Sequence, residues 1–171
     1  ETDLTELTYL YFGRNFGLTG NIPSEIGQLS KLDTLGLSYS SLLGAIPEEL
    51  YNLTNLSRFS LSNSQVTGTI SPRISNLSNL RHIALWNTPL TGDIPAEFWD
   101  MTSLERIYLG TNQQSGEISP KIGEFMNLDE FWISQSNLTG AIPPELGNAS
   151  TTTLINLYDN KLIGAVPDEI T

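Results

Sequence analysis

Apolar residues recur along this chain at a fixed interval: Leu32, Leu56, Leu80, Leu104 and Leu128 each lie 24 residues from the next. The frame extends back to Leu7, with one extra residue near Phe16–Gly17, and forward to Thr152, where the leading leucine is lost. Each period reads LxxLxLxxNxLxGxIPxxIxxLxx, and Leu104, Ile107, Leu109, Asn112, Gly116, Ile118, Ile122 and Phe125 give a full example. The x-L-x-L-x stretch alternates with period two, which is a strand with leucines inward and variable residues outward. Seven such strands are predicted, centred near Leu10–Phe12, Leu35–Leu37, Phe59–Leu61, Ile83–Leu85, Ile107–Leu109, Phe131–Ile133 and Ile155–Leu157, with every strand leucine buried. A fixed interval of this length is the mark of a solenoid, in which equivalent positions stack as ladders about 4.8 Å apart.

The rest of the period shapes the return path. A glycine column, Gly20 through Gly164, suits a tight bend where φ turns positive. An Ile-Pro step follows (Ile22-Pro23, Ile46-Pro47, Ile94-Pro95, Ile142-Pro143, Val166-Pro167), pointing an apolar residue inward before a single helical turn. In two periods the proline slips by one, as Ile70-Ser71-Pro72 and Ile118-Ser119-Pro120. The column after the strand holds Asn15, Ser40, Ser64, Thr88, Asn112, Ser136 and Asn160. An asparagine there can bond backbone groups of adjoining turns, so this ladder is expected to weaken where Ser or Thr stands.

The repeat with its G-x-IP segment resembles the plant-type leucine-rich repeat of polygalacturonase-inhibiting proteins, of leucine-rich-repeat receptor-kinase ectodomains and of algal surface proteins. The resemblance runs from Leu4 to Ile170. It implies an α/β repeat solenoid: a right-handed superhelical arc with a parallel concave sheet and short 3-10 or extended convex segments. It implies recognition of peptides, proteins or glycans, without catalysis and without a cofactor. Such proteins usually carry paired-cysteine caps, and this chain has no cysteine. Residues 1–171 are therefore expected to form one solenoid of about seven repeats, part of a longer array, with adjoining repeats or a partner chain over its ends.

Composition narrows the partners. A formal charge of −11 argues against nucleic acid and against an anionic membrane surface. Zero cysteines exclude thiol nucleophiles, and a single histidine, His82, leaves little for a triad or a zinc site. Paired carboxylates such as Glu48-Glu49 and Asp168-Glu169 fall on convex segments, where solvation explains them. Around the strands acids and bases balance, whereas the IP-side segments hold eleven acids against Lys31, Arg73 and Lys121.

Outward strand positions carry the candidate binding residues. The third position reads Tyr9, Thr34, Arg58, His82, Arg106, Glu130 and Leu154, placing Arg58, His82 and Arg106 on adjacent strands. The fifth and seventh positions supply Tyr11, Trp86, Tyr108, Trp132 and Tyr158. Aromatics interleaved with arginine are the residue types of recognition hot spots, although cross-strand stacking alone would also use them. Arg58, His82, Trp86, Arg106, Tyr108, Trp132 and Tyr158 are therefore the expected ligand-binding set, for a protein, peptide or cell-wall glycan. By resemblance to plant peptide receptors, Arg58 and Arg106 are placed to hold a terminal carboxylate. A threonine row (Thr19, Thr67, Thr91, Ser115, Thr139) superficially resembles an ice-binding face, but Leu43 and Ile163 interrupt it. Five N-x-[ST] acceptors, Asn52, Asn55, Asn76, Asn137 and Asn148, lean towards an extracellular or cell-surface glycoprotein, even though the repeat generates such triplets. The alternative to a recognition module is a structural or adhesive surface protein that uses the repeats as scaffold.

Overall fold

The computed structural model describes residues 4–170, and they form a solenoid of seven coils. One short strand from each coil, Tyr9–Tyr11, Thr34–Gly36, Arg58–Ser60, His82–Ala84, Arg106–Tyr108, Glu130–Trp132 and Leu154–Asn156, builds a seven-stranded parallel sheet in sequence order. Register advances by one repeat per strand, so Phe59 lies opposite Ile83, Ile83 opposite Ile107, and Ile107 opposite Phe131. Each strand begins one residue earlier than the leucine pattern places it. Pairing starts on the outward third-position residue because its amide and the preceding one share a carbonyl of the coil before. Glu105 and Arg106 both donate to the Arg81 oxygen, at 2.7 and 3.0 Å.

The strand leucines of coils two to six are buried, as are Ile118 and Ile122 on the return path. The expectation that all of them are buried fails at the ends. Leu10 and Leu157 are only partly covered, and Ile155 is 39% exposed. A terminal coil has a neighbour on one side only, so its inward residues lack half of their packing partners.

After each strand the chain reverses through a left-handed residue that is not glycine, from Arg14 (φ 60°) to Asp159 (φ 55°). The glycine column bends the path a second time; Gly116, at φ 99°, is representative. Between these bends lies the polar ladder. The side-chain amide of Asn112 donates to the Leu85 and Leu109 carbonyls at 3.0 and 2.7 Å, while its oxygen accepts the Thr88 amide at 2.9 Å. Asn160 repeats this with Ile133 and Leu157. Serine does less. Ser40 reaches only the Leu37 carbonyl, and the buried hydroxyl of Ser64 has no partner.

The descending segments pair as well, which the sequence pattern did not announce. Thr91–Asp93, Gln113–Glu117 and Asn137–Thr139 form a three-stranded parallel sheet, and Thr19–Asn21 pairs with Ser41–Leu43. Short 3-10 turns then close each coil at the back, Ser24–Gln28 and Pro120–Glu124 among them. The slipped prolines find their reason here. Ser71 and Ser119 act as caps, each accepting a hydrogen bond from the amide two residues on, with proline in the first turn.

The backs of the coils are unequal. Gly27, Gly123 and Gly147 let the next coil approach so closely that a Cβ would lie within 2.3 to 2.6 Å of a backbone oxygen. Tyr51 and Trp99 occupy the same pattern position in other coils and are buried there. Trp99 reaches Phe98 and the distant Phe131 edge-on, with centroids 5.5 and 6.4 Å away.

Candidate binding face

The concave sheet displays every outward strand position on one surface, and its two halves differ. Coils two and three present Thr34, Gly36, Ser38, Ser60 and Ser62, a nearly bare floor on which Arg58 stands exposed. Among the described residues the Arg58 side chain makes no hydrogen bond or ion pair, while its amide donates to the Asp33 carbonyl at 3.1 Å. Coils four to six are crowded with rings and charges.

In the fifth-position row Ala84, Tyr108 and Trp132 are direct cross-strand partners. Tyr108 and Trp132 lie against each other, centroids 6.3 Å apart and planes tilted by 59°. Trp86 rises one position-pair further along coil four and is held edge-on by Tyr39 at 6.4 Å. Ala84, Trp86, Tyr108 and Trp132 enclose a pocket of about 300 Å³. Trp86 and Trp132 remain 37% and 38% exposed, so their rings are open to a ligand. Alanine helps to make the pocket: a larger side chain here, beside Tyr108 on the next strand and Trp86 on its own, would fill it.

Two of the three rings have their polar atoms engaged. Trp132 Nε1 donates to Ser134 Oγ at 2.5 Å, and Tyr108 Oη donates to Glu130 Oε2 at 2.6 Å. Partial burial, followed by the nearby Glu130 carboxylate, pushes the Tyr108 hydroxyl up to about 12. Tyr108 therefore stays neutral through the physiological range and stays tied to Glu130.

Beside the pocket runs the charged row. Arg58, His82 and Arg106 are consecutive cross-strand partners. They do not form a free cationic comb. His82 Nε2 lies 3.3 Å from Glu105, which also takes Arg81 at 2.7 Å. Arg106 reaches Asp129 at 3.2 Å and Glu130 at 3.3 Å. The Arg81 hydrogen bond, with His82 adding to it, holds the Glu105 carboxyl below the usual range. Thr153 first and Arg106 next do the same for Asp129. Only Arg58 of the three basic residues has its charge uncommitted among the described side chains.

The expected binding residues thus fall into groups. Trp86, Tyr108 and Trp132 share the pocket, and Arg106 connects to it through Glu130, whereas His82 pairs with Glu105 and does not line it. Arg58 lies instead in a second, shallow depression of about 250 Å³ with Tyr11, Arg14 and Tyr39. Tyr158 is 70% exposed on the last coil and does not line the pocket. Sequence reasoning passed over Ala84, Glu130 and Ser134, which shape the pocket and fix its rings. A small residue beside Tyr108 in its row, and two positions before Trp86 on its own strand, was the available signal.

The glycosylation candidates spread over the back and the descending side. Asn52, Asn55, Asn76 and Asn148 are exposed, whereas Asn137 is half-buried within a strand of the second sheet. Asn52 accepts from Arg73 at 2.8 Å, and Asn55 donates to the Ser30 carbonyl at 2.8 Å. The threonine row borders that second sheet, with Asp93 and Glu117 exposed beside it. No helix among the described residues is long and apolar enough to cross a membrane.

A leucine-rich-repeat family model matches residues 79–101. A comparison with curated sequences finds no match. Among solved structures, the chain is similar to the leucine-rich-repeat ectodomain of the plant membrane receptor kinase GASSHO1/SCHENGEN3 from Arabidopsis thaliana, in complex with CASPARIAN STRIP INTEGRITY FACTOR 2. The TM-score is 0.93 at 30% identity, covering 97% of this chain and 20% of that one. The PEPR1–AtPEP1 structure superposes with a TM-score of 0.86 at 33% identity, covering 97% of this chain and 23% of that chain. A plant ice-binding protein gives 0.85 at 29% identity, over 92% of this chain and 51% of the other. The chain therefore spans from a fifth to about half the length of these relatives.

Proposed function

We propose a function from the premise that this chain is built of plant-type leucine-rich repeats: it is a non-catalytic recognition module that holds a protein or peptide ligand on its concave face, outside the cell. The observation that carries this reading is the pocket of Ala84, Trp86, Tyr108 and Trp132. Its three large rings sit on a surface that the leucine core does not need, and rings of this kind dominate recognition energetics. Similarity to a receptor ectodomain solved in complex with a factor supports the same reading. The five N-x-[ST] triplets support an extracellular setting. The resemblance to a plant ice-binding protein does not redirect it. Leu43 and Ile163 break the threonine row, and the exposed carboxylates of Asp93 and Glu117 disturb what would have to be a flat, regular face.

A screen of this chain against peptides, secreted hydrolases and cell-wall oligosaccharides tests the reading. For a ligand so found, Trp132→Ala is expected to weaken binding by at least ~2 kcal/mol, as loss of an anchor does, while Glu97→Ala on the back leaves it unchanged. Normal binding by Trp132→Ala together with loss in variants of the back would move the functional face to the convex side.

A further inference from the structure

The pocket has a chemical character that restricts its occupant. Trp86, Tyr108 and Trp132 supply its walls, with the Tyr108 and Trp132 rings tilted against each other at 6.3 Å. The indole N–H of Trp132 and the hydroxyl of Tyr108 are taken up by Ser134 and Glu130, at 2.5 and 2.6 Å. A sugar or an amide seated there would lose several hydrogen bonds to water and could regain at most one from the rings, at the Trp86 indole N–H, and buried unmet polar groups are costly. A group that asks for no hydrogen bond loses nothing.

Two kinds of group meet that condition, a neutral hydrocarbon and a methylated cation. Electrostatics separates them. The face of an aromatic ring is negative, and a cation within about 6 Å of several ring centroids is attracted to all of them. Tyr108 donates a hydrogen bond to a carboxylate, which leaves its ring richer in electrons. The nearby Arg106 does not oppose a cation, because Asp129 and Glu130 together outweigh its charge. The whole chain carries −11 and attracts cations from a distance.

We infer that the pocket is an aromatic cage for a quaternary ammonium group, a ligand class that deepens the recognition reading above and rests on it. Two sources share this chemistry: a free choline-like molecule, and a trimethylated lysine in a peptide. An unmethylated lysine fits less well, since its three N–H donors would find no free acceptor on the ring walls.

The test titrates the intact chain with choline and with 3,3-dimethylbutan-1-ol, which replaces the nitrogen by carbon at nearly constant shape. Indole N–H resonances report binding, with buried Trp99 as an internal control. Choline is expected to bind at least about fivefold tighter than the alcohol and to shift Trp86 and Trp132 but not Trp99. Trp132→Leu should abolish that preference, and Trp132→Phe should retain part of it. A second arm compares peptides bearing trimethyllysine and lysine. Tighter binding of the trimethylated peptide than of choline assigns the site to a peptide, and the reverse order assigns it to a free molecule. Equal affinity for choline and the alcohol overturns the cation inference while leaving an apolar recognition pocket. Unmoved Trp86 and Trp132 signals with choline and with the trimethylated peptide also overturn it, and the screen above then decides the broader reading alone.

Discussion

The two faces of the concave sheet obey different constraints. On the inner face of coils two to six, every strand position holds Leu, Ile or Phe, and each side chain is buried. On the outer face the same strands carry Gly36, Ser60, Ala84, Tyr108 and Trp132 in a single row. The inner face is fixed by packing against the coils before and after, so the repeat tolerates little variation there. The outer face packs only among its own side chains, with no further layer described over it, and is free to specialise. Leu109 and Tyr108 are chain neighbours, yet one belongs to the part that folds the molecule and the other to the part that distinguishes it.

That contrast can be broken by mutation, most severely from the inside. Leu109→Ala is expected to cost about 2–5 kcal/mol, from lost transfer energy plus the cavity left behind. Denaturant melts should record the loss. Because coils contact only their neighbours, hydrogen exchange should locate the opening around coil five. A change within about 0.5 kcal/mol would mean that the two faces are not so different.

The column that the descending segments turn inward has one irregular member. Gln114 stands where its column otherwise holds Leu or Val, is fully buried, and leaves its side-chain nitrogen without a partner. Its oxygen accepts from Asn112 at 3.2 Å, but that asparagine keeps two backbone acceptors without it. Gln114→Leu is therefore expected to stabilise the chain by about 1–2 kcal/mol, read as a rise in melting midpoint. Destabilisation instead would give Gln114 a structural role that its geometry does not show.

Changes on the outer face should be smaller. Trp132→Ala removes a half-open ring that meets Tyr108 alone among the rings, and stability should move by no more than about 1 kcal/mol. A larger loss would make the aromatic row part of the fold. The smallest expected effect is that of pH. Glu105 and Asp129 titrate lower in the folded chain than in an unfolded one, so their contribution is complete above the ordinary carboxylate range, near pH 4. It fades as the pH falls through their folded values. Thermal melts of Glu105→Gln and Asp129→Asn should start slightly below the parent chain near neutrality, lose less on acidification, and converge with it at low pH.

Much of this was legible in the amino-acid sequence, and for a physical reason. Inward residues repeat because every coil solves the same packing problem, so period two within period 24 identifies them. What escaped depends on pairs instead of periods. The left-handed column from Arg14 to Asp159 uses residues with no shared chemistry, since the turn demands a backbone angle and no particular side chain. The second sheet arises from ordinary loop residues brought to pairing distance by the first. Arg106 looked like a free cation because its partners, Asp129 and Glu130, belong to the following coil. The pocket itself is a difference between neighbours, one alanine beside two rings, and a consensus averages such differences away.

The placement of the three rings has a mechanical consequence. Trp86, Tyr108 and Trp132 belong to coils four, five and six, so a single bound molecule touches three links of the chain at once. Under tension an empty solenoid releases one coil at a time, each 24 residues yielding about 80 Å of slack. A molecule held there as proposed would tie three of those links together, so that they would yield as one segment of about 240 Å. Occupancy would then turn the middle of a compliant spring into a stiffer block.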